Sequence, residues 1–244
     1  MSTEHRRSAE ELRALFQKFT SAMSTDSRLS HQLTAWLQAR RSWRSQWANR
    51  SPSSPEHTFQ RLIPNPAGHD LWVHPIAEEA PELDAWRTEW ETATLADRKA
   101  FASAFVRAIE VIERDPTAAP EACAQLARSA GARGLPLAAF TPALSSLEPT
   151  RFVVVSDAGL RMLSQYQEVP VPSDVAVYPD ISSTALRWLA AAEGDSLEGV
   201  LGRHPPADRF GVFCSWVLRT ASDASAPRTF DVTRKKYKEW PPMW

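Results

Sequence analysis

The stretch TLADRKAFASAFVRAIEVIERDP, Thr94 to Pro116, decides the fold class. Phe101, Phe105, Ile109 and Ile112 recur at i, i+4, i+8 and i+11, which places all four on one side of a helix turning about 100° per residue. Asp97 puts negative charge near the positive end of the helix dipole, and Pro116 stops the helix. The spacing predicts a long helix over about Thr94–Arg114.

The same period extends outward on both sides. Leu12, Leu15, Phe16 and Phe19 follow the Ser8/Glu11 capping box and predict a first helix. Leu29, Leu33, Trp36 and Leu37, continued by Trp43 and Trp47, predict a second over about Ser27–Ala48. Ser51-Pro-Ser-Ser-Pro55 reads as a linker, and residues 58–81 are irregular, with a short strand at Leu71–Val73. Downstream, helices are expected near Pro120–Ala130, Pro136–Leu147, Asp157–Gln167, Asp180–Glu193 and Pro206–Thr220. Arg151–Val155 is a β-branched run and the best strand in the chain. The expected fold is mainly α, a bundle-like helical domain with one or two short strands. Its parts are a helical hairpin (1–50), an irregular linker region (51–93), a helical core (94–227) and a basic-aromatic tail (228–244).

Composition narrows the function classes. The chain has 244 residues, with 28 Lys+Arg against 29 Asp+Glu, a formal net charge of -1. Ten tryptophans supply large buried area and argue against disorder. Only Cys123 and Cys214 are present, which excludes a disulfide framework and a cysteine-rich zinc site. No apolar run reaches the roughly 18 residues a membrane helix needs. Residues 1–11 are charged, with no apolar signal core, so a cytoplasmic protein without membrane contact is expected.

Catalytic motifs are missing. Neither the P-loop nor the dinucleotide G-x-G-x-x-G pattern occurs, nor do G-x-S-x-G and H-E-x-x-H. His69, Asp70 and His74 cluster locally, but no third strong ligand is placed beside them, so no metal is assigned. Glu82 with Asp97 and Lys99 imitates a nuclease set, yet Asp97 and Lys99 point about 200° apart around one helix. Cys123 and Cys214 read as buried structural thiols. No cofactor and no catalytic residue are assigned.

The most distinctive segment is 27–55, which contains no Asp or Glu. Arg28, Arg40, Arg41, Arg44 and Arg50 alternate there with Trp36, Trp43 and Trp47. Arginine neutralises phosphate and exposed tryptophan stacks on bases, so Arg40, Arg41, Arg44, Trp43 and Trp47 form a candidate nucleic-acid face. The competing reading makes the tryptophans core and pairs the arginines with the acidic 78–97 segment.

Residues 140–218 carry a resemblance. FTPALSSLEPTRFVVVSDAGL (Phe140 to Leu160), Tyr178-Pro179 and DRFGVFCSW (Asp208 to Trp216) resemble the helical region preceding the AAA+ motor of McrB-like, modification-dependent restriction GTPases and related anti-phage ATPases. That resemblance implies a non-catalytic recognition or assembly module, binding DNA or a partner protein and working with an AAA+ motor in cis or in trans. No Walker motif is present, and the tail around Arg234–Trp240 resembles the linker entering such a motor. Residue 244 is then expected to be a boundary before a motor, or the end of a free-standing relative. The alternative is a pure protein–protein adaptor docking through Trp240 and Trp244.

Overall fold

A computed structural model of the chain describes residues 9–51, 53–62, 81–129, 135, 137–155, 159–160, 162–164, 174–193 and 201–225. These residues are mainly helical. The helices are α1 (Ala9–Thr25), α2 (Ser27–Ala48), α3 (Pro55–Leu62), α4 (Pro81–Thr92), α5 (Leu95–Arg114), α6 (Ala119–Ala127), α7 (Leu137–Leu147), α8 (Tyr178–Glu193) and α9 (Pro206–Ser225). Three 3₁₀ turns accompany them, at Pro116–Ala118, Val175–Val177 and Leu201–Arg203, and residues 159–160 and 162–164 are also helical.

The helix ends follow local chemistry. Asp26 caps α2 by accepting from the Arg28 N–H at 3.0 Å, and it is the one residue between α1 and α2. Thr94 caps α5: its hydroxyl accepts from the Asp97 N–H at 3.1 Å and donates to the Asp97 carboxylate at 2.7 Å. Asp97 is thereby part of a capping device on α5.

The core is aromatic and continuous. Helix α2 packs against α1, α3, α7 and α9, while α5 packs against α3, α6 and α7. At one end Phe16 and Phe19 of α1 meet Phe213 of α9 with ring centroids 5.1 and 5.3 Å apart. At the other, Phe59 of α3 sits among Trp90, Phe101 and Phe105 at 4.7, 5.3 and 5.0 Å. Phe105 continues the chain of contacts to Phe140, and Phe140 to Tyr178. Such tilted and edge-on pairs add to the stabilisation from burying the rings.

Two expectations are corrected here. Residues 51–93 are not irregular throughout: Pro55–Leu62 and Pro81–Thr92 are helices, and Phe59 and Trp86 are core residues at 1% and 4% exposure. A Ser/Pro-rich flank hid α3 because an eight-residue helix carries little periodicity. The strand predicted at Arg151–Val155 does not form; among the described residues there is no strand, and Leu71–Val73 lies outside them. Residues 152–155 are nevertheless buried, so their backbone polar groups need partners. Side-chain hydroxyls supply them. The Val153 N–H donates to Ser182 Oγ at 3.0 Å, and the Val155 N–H to Thr141 Oγ1 at 3.0 Å. Tyr178 Oη donates to the Val153 carbonyl at 2.8 Å, and Ser182 Oγ to the Arg151 carbonyl at 2.8 Å. A β-branched run is thus threaded between helices, with hydroxyls standing in for a neighbouring strand.

This arrangement makes a direct test. Ser182→Ala should cost about 1–3 kcal/mol, since it leaves a buried N–H without an acceptor. Denaturant melts of the variant would check it. An unchanged midpoint would mean that the hydroxyl is not needed there.

Candidate functional site

The tryptophans of the acid-free segment are spent on packing. Trp43 and Trp47 stack on each other at 5.5 Å and are 5% and 2% exposed. Trp47 Nε1 donates to Glu113 Oε2 at 2.8 Å. Arg44 donates from Nε to the Ser146 carbonyl and from Nη2 to the Leu147 carbonyl at 2.6 Å. These are last-turn carbonyls of α7, so Arg44 serves as a helix C-cap on a neighbouring element. Arg40 forms an ion pair with Asp208 of α9. Of the five predicted nucleic-acid residues, Arg41 and Arg44 are exposed, and Arg41 makes no hydrogen bond or ion pair among the described residues. The predicted face therefore does not exist as an array of exposed Arg and Trp. The partners described for Arg40, Arg44 and Arg50 lie on α9, α7 and α5, and the side chains of Glu78, Glu79, Glu82 and Asp84 lie outside the described residues. Trp240 and Trp244 lie outside the described residues, as do His69, Asp70 and His74.

Two charged constellations emerge that the sequence did not single out. The first joins α2, α8 and the start of α9. Asp208 is 2% exposed and faces Arg40, with His204 Nδ1 at 4.0 Å. Next to it, Arg209 Nε and Nη2 engage Glu193 Oε1 and Oε2 at 2.6 and 2.9 Å, and Nη1 donates to the His204 carbonyl. Burial pushes the Asp208 carboxyl up to about 6, against the opposing pull of Arg40 and Arg209. Burial also lowers the His204 imidazole, helped by Arg40 and Arg209. The Asp–His proximity superficially suggests acid–base work. Among the described residues, however, no hydrogen bond joins the His204 ring to a serine, threonine or cysteine that it could activate. The cluster ties three helices together.

The second constellation is a cleft of about 410 Å³ lined by Arg50, Ser51, Pro55, Ser103, Val106, Arg107, Glu110 and Arg114. It opens between the α2–α3 connection and α5. Arg50 lies over the Trp47 ring at 4.1 Å and reaches Glu110 at 3.4 Å and Glu113 at 3.6 Å. Arg107 and Arg114 are exposed.

Neither a family model nor a curated protein nor a solved structure matches the chain. The site's chemistry thus rests on its own geometry. Among the described residues no three His, Cys, Asp or Glu side chains converge as metal ligands do. Burial pushes the Cys123 thiol up to about 12 and raises Cys214 as well, so neither is a reactive thiolate near neutrality. None of the described helices is long and apolar enough to cross a membrane. A signal for the cleft was present in the sequence: Ser103, Arg107, Glu110 and Arg114 repeat at helical spacing on the side of α5 opposite its aromatic stripe.

Proposed function

We propose that the chain is a non-catalytic recognition or assembly module that docks a partner protein. The setting suggested by residues 140–218 is a bacterial anti-phage or restriction-type system in the cytoplasm, with an AAA+ motor in cis or in trans. The carrying observation is the fate of the acid-free segment: Trp43 and Trp47 are buried, while Arg40 and Arg44 are engaged by Asp208 and the α7 carbonyls. Stacking on bases needs an exposed ring, and phosphate neutralisation needs an available guanidinium. This favours the adaptor reading over DNA binding. The aromatic tail, with Trp240 and Trp244, remains a proposed second docking element.

Labelled duplex and single-stranded DNA, titrated at 50 mM salt and followed by fluorescence anisotropy, should show no binding. Binding with a salt slope of about -2.7 to -3.6, the value for three or four phosphate contacts on duplex, would restore the nucleic-acid role. Co-elution with an AAA+ ATPase encoded beside the gene is the expected positive result. A gene neighbourhood without such an ATPase would count against the setting.

A further inference from the structure

We infer that the exposed face of α5 docks an acidic, aliphatic segment of a partner protein by reading two adjoining subsites. The inference rests on the adaptor reading and names its surface. The cationic subsite is the cleft holding Arg50, Arg107 and Arg114. Beside it, between α5 and α6, runs a groove of about 340 Å³ lined chiefly by Ala104, Ala108, Val111, Ala122 and Leu126. Ser103 and Arg107 line both, so one ligand can occupy the two together.

Charge selects the ligand's first feature. Arg50 is held by Glu110 and Glu113 and by the Trp47 ring, which fixes it as the wall of the cleft. Arg114 uses Nε on the Glu110 carbonyl at 3.2 Å, within its own helix. Arg107 makes no hydrogen bond among the described residues, and both it and Arg114 are exposed. Three guanidiniums face two carboxylates, so the surface has positive charge left over and fork-shaped donors suited to a carboxylate. The groove selects the second feature. Its walls are small and aliphatic, which fits a Leu- or Ile-sized side chain. No aromatic ring lines either subsite, so a nucleotide base would find no ring to stack on. An acidic residue next to an aliphatic one satisfies both subsites, and an oligonucleotide satisfies only one.

The test uses the full chain and three labelled probes: a peptide of repeated Glu-Glu-Leu triplets, its Gln-Gln-Leu analogue and a polythymidine oligonucleotide. The acidic peptide should bind saturably and the glutamine analogue should not. Arg107→Glu, at an exposed position, should weaken the acidic peptide about tenfold. Gln125→Trp, which covers the groove from an exposed position on α6, should also weaken it. Circular dichroism would verify that both variants keep the parent's helicity. Equal binding by parent and both variants, or no saturable binding, would overturn this surface. If Arg107→Glu leaves co-elution with the AAA+ partner unchanged, the surface is wrong and the adaptor reading stands. Tight binding of polythymidine, lost in Arg107→Glu, would overturn both.

Discussion

Gly211→Ala should cost more than about 3 kcal/mol, beyond the usual range for an added methyl group in a packed core. Gly211 lies in α9 where the Trp36 ring of α2 rests on it. A Cβ there would fall 1.6 Å from Trp36 Cη2, 2.3 Å from Cζ3 and 2.6 Å from Cζ2. Trp36 is itself 2% exposed, so its rigid ring has no solvent to retreat into. Intrinsic preference runs the other way, since alanine is favoured over glycine in a helix interior by about 1 kcal/mol. A measured loss therefore reports the contact and not the propensity. Trp36→Leu should be destabilising alone, because it opens a cavity. Combined with Gly211→Ala it should recover stability, giving a double variant better than the sum of the two losses. Urea melts of the four proteins would measure this. A Gly211→Ala protein as stable as the parent would mean that α2 and α9 do not meet at this position.

Arg40→Met should cost about 3–5 kcal/mol at pH 8, the range for removing one partner of a buried ion pair. Asp208 would be left buried and charged, with a side chain only 3% exposed. The loss should shrink at pH 5, and the sign follows from the carboxyl. Burial already pushes Asp208 up to about 6 from its ordinary 3.8, so the folded chain holds that proton more tightly than the unfolded one. Its contribution to stability is present below the unfolded value and lost as pH rises through about 6. Removing Arg40 raises the carboxyl further, and the variant escapes its penalty at low pH by protonation. His204 opposes this trend, because its lowered value favours the neutral ring in the fold and costs stability as pH falls. The comparison is accordingly parent against variant at each pH. Arg40→Met/Asp208→Asn should regain part of the stability and lose the extra pH dependence. A variant deficit equal at pH 5 and pH 8 would show that Asp208 is not the responsible group. A deficit confined to ligand binding, with no change in melting, would return Arg40 to the surface role first expected of it.

Which faces are apolar, and where several helices begin and end, is legible in the pattern of residues alone. α5 was legible because Phe101, Phe105, Ile109 and Ile112 keep one period between local start and stop signals. α2 was legible for the same reason, and its buried residues are Leu29, Leu33, Trp36, Trp43 and Trp47. Periodicity records that a face is buried but not against what. Arg40 and Asp208 are 168 positions apart, and no local pattern couples them. The arginines of residues 27–55 looked available because their partners, Asp208, Glu110 and the ends of α7, come from elsewhere in the chain. Val153–Val155 shows the same division. Its β-branched composition predicted a strand, and the segment is buried without forming one, because the hydroxyls of Thr141, Tyr178 and Ser182 meet its backbone where another strand would have done so. The cleft on α5 needed both kinds of information. Its stripe of Ser103, Arg107, Glu110 and Arg114 is written in one helix, but Arg50 and Pro55 join it only once α3 folds back against α5. Short-range signals depend on backbone geometry within a turn or two, whereas pairing of charges and filling of grooves depend on which distant surfaces hydrophobic burial brings together.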